Sequence, residues 1–161
     1  MSGIVEKGAV EELRLALPPE GPQRKVTVRQ RDERGVSLLD WACGFGRLDM
    51  AAALVREFGA PVNDRHPTSG NTALIAMCAT GKAEVAAFLI RDLGADRHAV
   101  NIQGATALHV ACDKGHTELA LMLVRDFSLH LEATHNKGNT PLILAAFGGH
   151  TATVIALMLS I

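Results

Sequence analysis

Apolar residues return along this chain at helical spacing, three times over and in one register. Met50, Leu54, Val55 and Phe58 are matched by Val85, Leu89, Ile90 and Leu93, and again by Leu119, Leu123, Val124 and Phe127. That recurrence predicts helices that each present one apolar face. Ahead of each lies a shorter apolar run, Leu38-Leu39, Ala73-Leu74-Ile75 and Ala107-Leu108, with a fourth at Pro141-Leu142-Ile143. Ser37, Thr72, Thr106 and Thr140 stand directly before these runs, where a hydroxyl accepts the first free N–H groups of a helix, and Pro141 falls where a helix tolerates proline best. Two glycine series, Gly35, Gly70, Gly104, Gly138 and Gly46, Gly81, Gly115, Gly149, bracket the runs with a common step of 34 or 35 residues. The second series predicts the helix stop, because glycine takes the left-handed conformation without a side-chain clash. Gly59 and Gly94 close two of the longer helices, whereas Ser128 departs from the pattern in the third. One such helix pair has too little apolar surface to fold alone, so neighbours must stack and share a core. The pattern therefore predicts an all-α solenoid of helix-turn-helix units.

The run Gly104-Ala105-Thr106-Ala107-Leu108-His109-Val110-Ala111 with Gly115-His116 resembles the ankyrin repeat, as does Thr140-Pro141-Leu142 with Gly149-His150. The resemblance covers residues 35 to 161 and implies an ankyrin-type α-solenoid with short hairpin-like turns and four units, 35–69, 70–103, 104–137 and 138–161. Two departures are plain. The unit is mostly 34 residues against the family's ~33, the extra residue falling near the end of the second helix, as in Leu89 to Gly94. The family's proline is replaced by Leu38, Ala73 and Ala107. Residues 1–17 resemble a degenerate amino-terminal capping repeat, and 18–34, with Pro18, Pro19, Gly21 and Pro22, form a Pro/Arg-containing connection longer than any later one.

Composition narrows the function classes. The 161 residues are 48% hydrophobic with a formal charge of −1, so no global field draws the chain to nucleic acid or to an anionic membrane. The opening Met1 to Glu6 carries an acid where a secretory leader needs an apolar run, which leads us to expect a cytoplasmic or nuclear address. Arg24, Lys25, Arg29, Arg31 and Arg34 crowd the connection against Asp32 and Glu33; a solvated loop is one reading and contact with an acidic partner the other. Asn139 to Ile161 holds no Asp, Glu, Lys or Arg, but the repeat register accounts for its residues better than a membrane span does.

Candidate chemistry dissolves into the same register. Cys43, Cys78 and Cys112 occupy one repeat position, filled by Ala146 in the fourth unit, so they are expected as small buried packing residues and not as a disulfide or metal set. His109, His116 and His150 fall on repeat positions where histidine bonds neighbouring backbone. His109 and Asp113, one turn apart, could share a proton or a metal, yet no third ligand or nucleophile is placed beside them. No phosphate-cradling loop or hydrolase elbow is present. The expectation is a non-enzymatic protein-interaction module, without cofactor or small-molecule substrate, acting as adaptor, inhibitor or assembly scaffold through its concave surface. The alternative is a targeting or regulatory ankyrin fragment of a larger chain or complex.

The resemblance places variable surface positions around the first glycine series and along the first helices. These are Arg34, Val36, Trp41 and Phe45, then Ser69 and Asn71, then Ile102, Gln103, Asp113 and Lys114, then Lys137, Asn139 and Phe147. Trp41 and Phe45 put two rings on one helical side, as a partner anchor or, for Trp41, as packing beneath the amino-terminal cap. The carboxyl-terminal unit is expected to be uncapped: the slot of Arg56, Arg91 and Arg125 becomes Leu159, that of Glu57, Asp92 and Asp126 becomes Ser160, and Ile161 takes an apolar slot. Either the natural chain continues past this bare apolar terminal face, or the face meets a partner or a second copy.

Overall fold

The computed structural model describes residues 10–16 and 27–160. The outer parts of the amino-terminal cap, the connection as far as Val26 with Arg24 and Lys25, and Ile161 lie outside the described residues. Among the described residues the regular structure is helical: α1 (Val10–Ala16), α2 (Leu38–Gly44), α3 (Leu48–Arg56), α4 (Ala73–Ala79), α5 (Ala83–Arg91), α6 (Ala107–Asp113), α7 (Thr117–Arg125), α8 (Pro141–Phe147) and α9 (Thr151–Met158). Each of the pairs α2/α3, α4/α5, α6/α7 and α8/α9 packs as a hairpin. The short first helices form an inner row in chain order, and α5, α7 and α9 pack successively in the outer row, with α1 against α3.

Start and stop signals act as their chemistry requires. The hydroxyls of Ser37, Thr72, Thr106 and Thr140 accept the N–H of Asp40, Ile75, His109 and Ile143, an arrangement that stabilises a helix by about 1 kcal/mol. Gly81 and Gly115 both have φ +70, and a second constraint acts on them: an added Cβ would lie 2.8 Å from the ring of His116 and 2.4 Å from that of His150. Each glycine thus ends its own helix and leaves room for the next unit's histidine.

The core is one continuous cluster of buried residues. Leu54, Leu89, Leu123 and Leu157 fill the same slot in successive units and are all 0% exposed, each such burial stabilising the fold by about 1.5–3 kcal/mol. The three cysteines are free and buried between units, and burial pushes their thiols up to about 12. Thr153 stands in the core slot of Met50, Val85 and Leu119, buried, with its hydroxyl satisfied by that of Thr117 at 2.7 Å. A buried hydroxyl without that partner would be costly.

Ties between units are short and run only to neighbours. His116 and His150 each place Nε2 on a carbonyl of the preceding unit, those of Ala79 and Asp113, at 3.3 and 2.8 Å, and His66 places its own on the Arg34 carbonyl of the connection at 2.8 Å. On the outer side Arg14 forks onto Glu57, Arg56 donates to the Asp92 carbonyl, and Arg91 pairs with Asp126 at 3.1 Å. Arg125 has Ser160 in its acceptor slot and forms no ion pair among the described residues.

Part of the connection is folded onto the body. Val28 is buried, and Arg31 is a strut: it donates to the Gly35 carbonyl, to Asp64 at 2.8 Å and to the Arg65 carbonyl. The expectation of one solvated or partner-facing basic run is corrected at Arg31, whose charge is spent inside the fold.

Candidate functional site

The hairpin turns owe their shape to one acceptor side chain three or four residues ahead of each glycine. In the first turn Asp32 Oδ1 accepts the N–H of Arg34 and of Val36, both at 2.9 Å. Asn101 does the same for Gln103 and Ala105, while His66 and His135 use Nδ1. Such side-chain turns are favoured by Asp and Asn. The bond from the Val36 amide is the first cause that holds the Asp32 carboxyl below its ordinary range.

Asp32 has a second task, because its Oδ2 accepts the Trp41 indole N–H at 3.2 Å. The Arg34 guanidinium lies 5.0 Å above the Trp41 ring, and Trp41 stacks on Phe45 with centroids 5.4 Å apart. Trp41 is half-buried against the core, whereas Phe45 is 43% exposed. The result is a fixed aromatic step on the first inner helix, capped by a cation and held by a carboxylate. Beside it opens a cleft of about 220 Å³ lined by Thr27, Gln30, Arg31, Asp32, Val36, Leu38 and Trp41.

The other residues singled out from the sequence fall into two further groups. Ser69, Asn71, Ile102, Gln103, Lys137 and Asn139 lie along the row of turns, but several are engaged there: the Ser69 carbonyl accepts the Ile102 N–H, the Gln103 carbonyl accepts the Asn136 N–H, and Asn71 Oδ1 accepts from Asn101 at 3.0 Å. Ser69, Asn71 and Asn139 are half-buried, whereas Ile102, Gln103 and Lys137 are exposed. Asp113, Lys114 and Phe147 sit at the ends of later inner helices, all exposed. The structure unites Arg34, Val36, Trp41 and Phe45 into one platform and leaves Phe147 at the opposite end of the stack. Asp32 and Arg31 were missed as members of this site. The Asp-x-x-Gly spacing could have revealed Asp32, whereas no local signal identifies Arg31.

His109 and Asp113 do not face each other as a shared pair. Asp113 pairs with Lys114 at 2.9 Å, and His109 is fully buried, with Nδ1 accepting the Thr106 N–H at 3.2 Å and lying 2.8 Å from its hydroxyl. His109 thus completes a capping box with Thr106, a role usually given to Glu or Gln. Its Nε2 is buried without a hydrogen bond, and desolvation drives its pKa below the ordinary value. Among the described residues no group of three or more His, Cys, Asp or Glu is arranged to hold a metal ion, and no helix is long and apolar enough to cross a membrane.

The family model described as ankyrin repeats (3 copies) matches residues 39–133 and 76–160. No curated protein matches the chain.

Proposed function

Because the chain belongs to the ankyrin repeat family, whose members are generally protein–protein interaction modules, we propose that it is a non-enzymatic module binding a protein partner on its concave surface, with Trp41 and Phe45 as the anchor. The observation that carries this reading is the stacked ring pair at 5.4 Å, fixed on one side by Asp32 and on the other by Arg34. Rings already locked in place lose little freedom on binding, and buried aromatic anchors dominate many interfaces. The neighbouring cleft gives a partner side chain a place to enter beside the rings. An adaptor, an inhibitor and an assembly factor would all use such a surface, since the scaffold does not select among them.

The test uses Phe45→Ala rather than a change at Trp41, because Phe45 is the more exposed ring and its loss disturbs the core less. Tagged chain would recover a partner from source cells, and titration calorimetry would compare wild type with the variant. Truncation is expected to weaken binding at least ~30-fold with the melting temperature nearly unchanged. Equal affinity in the two proteins refutes the anchor and moves the site toward the turn row.

A further inference from the structure

The seam between the third and fourth units is lined by two imidazoles. The inner-helix slot of His109 holds Asp40 and Ile75 in the two units before it, and the turn acceptors that follow these three residues are His66, Asn101 and His135. Histidine therefore fills both places at this seam alone among the described residues, and the rings of His109 and His135 stack there with centroids 5.8 Å apart and planes 16° from parallel. Both rings act as acceptors. Nδ1 of His109 takes the Thr106 N–H at 3.2 Å at the start of α6, and Nδ1 of His135 takes the Asn139 N–H at 3.2 Å in the turn that leads to α8. A ring nitrogen accepts only while it is bare, so each bond requires a neutral ring. A proton there would point an N–H at the amide N–H it served, and turning the ring over would offer a C–H instead.

The surroundings give an imidazolium little shelter. Asn101 to Thr106 in the third turn, Ala73 to Ala79 in α4 and Asn139 to Phe147 before and along α8 hold no Asp, Glu, Lys or Arg. At the far end of α6 Asp113 is paired with Lys114 at 2.9 Å, and on the chain around His135 both Glu132 and Lys137 are exposed. A charge on either ring thus lies against the other ring. His135 is half-buried and within reach of a proton from water, whereas His109 is fully buried. Desolvation, ahead of every other cause, holds the pKa of His109 below its ordinary value. The opened seam therefore takes up a proton more readily than the closed one, and acid favours opening.

We infer that this seam is a pH-sensitive joint: mild acid charges the imidazole pair, releases the Thr106 and Asn139 amides from their acceptors, and loosens the α8/α9 hairpin from α6/α7 while the first three units stay packed. The turn residues Lys137 and Asn139 lie at the joint and shift with it. The Trp41 platform belongs to the first unit, beyond two further seams, so the joint stands independently of the aromatic anchor.

Amide exchange of the 161-residue chain, read residue by residue by NMR at about pH 7.5 and about pH 5.5, spans the range in which imidazole changes charge. After correction for the intrinsic pH dependence of exchange, protection of the Thr106 and Asn139 amides should fall in acid by at least about fivefold, the worth of one hydrogen bond. Protection in α8 and α9 should fall with them, while α2 to α5 hold steady. The double variant His109→Ile with His135→Asn copies the seam between the second and third units, where Ile75 and Asn101 fill these places, and should lose the acid response. His135→Asn alone, at a half-buried position, should already restore the protection of Asn139. Unchanged protection at the joint in the wild-type chain overturns the proposal, as does an equal fall along the whole stack. So does an acid response that persists in the double variant, which would assign it to other groups.

Discussion

Replacing Ser128 by glycine should stabilise the protein, although it removes atoms and adds no contact. Ser128 has φ +54 and is the one non-glycine residue in the left-handed region among those described. Gly59 and Gly94 hold the equivalent places at φ +70 and +69. The bonds around all three are alike: the amides of Ala60, Ala95 and Leu129 reach back to the carbonyls of Leu54, Leu89 and Leu123 at 2.8, 2.9 and 3.1 Å. The backbone thus closes α7 in the same way as α3 and α5, and only the side chain differs. A Cβ in this conformation costs about 1–2 kcal/mol, and glycine returns roughly 0.5–1 kcal/mol of that through its freer unfolded state. The net gain for Ser128→Gly is about 0.5–1 kcal/mol, or roughly 1–4 °C in Tm for a chain of this length. The mirror change Gly94→Ser should cost a similar amount, since a Cβ at Gly94 meets nothing within 4 Å and the penalty is purely backbone. Urea unfolding followed by circular dichroism would measure both, with the slope m expected to stay constant. A Ser128→Gly protein less stable than wild type refutes the reasoning, because the serine side chain would then be holding the turn.

Two further outcomes follow from buried groups. The folded state depresses the pKa of His109 below its ordinary 6.5, so the unfolded chain takes up that proton first. Stability contributed by the neutral ring is full above the unfolded pKa and declines as pH falls below it toward the folded value; urea midpoints at stepwise lower pH should fall more steeply in wild type than in His109→Leu, and parallel curves would contradict this. The thiols of Cys43, Cys78 and Cys112, pushed up to about 12, should react with a colorimetric thiol reagent only as fast as the chain opens, since at pH 8 roughly one in ten thousand is ionised; prompt native labelling of all three would exclude their buried placement.

Local chemistry was legible from the residues alone, and long-range chemistry was not. Ser37, Thr72, Thr106 and Thr140 announce their helices because a cap bonds only two or three residues ahead. The glycine series announces its stops because a positive φ is a property of one residue. Ser128 could be seen as a departure, but that the chain would keep the left-handed turn there, strain included, depends on the packing around Leu123 and Leu129. Arg31 was indistinguishable from its basic neighbours, since Asp64 and the Arg65 carbonyl that fix it lie in the next turn. Trp41 stayed divided between anchor and core, and the structure divides it too: half its ring is packed inward while Phe45 carries the exposure. His109 was expected to bond neighbouring backbone, and it does, through the Thr106 N–H; the full capping box escaped because Asp113, about equally near in sequence, was weighed as its partner.

The neighbour-only ties among successive units also set how the molecule gives way under tension. The histidine-to-carbonyl links of His116 and His150, the bond of Arg56 to the Asp92 carbonyl and the Arg91–Asp126 ion pair each join one hairpin to the adjoining one, and none of them skips a hairpin. A pull applied to the two ends therefore loads one seam at a time and strips hairpins in sequence, as a zipper opens. The seam beside α9 lacks one outer link, because Ser160 stands in the acceptor slot of Arg125, but it keeps the bond of His150 to the Asp113 carbonyl and that between Thr117 and Thr153. Stretched in a single-molecule trap, the chain would give a train of small, low-force steps.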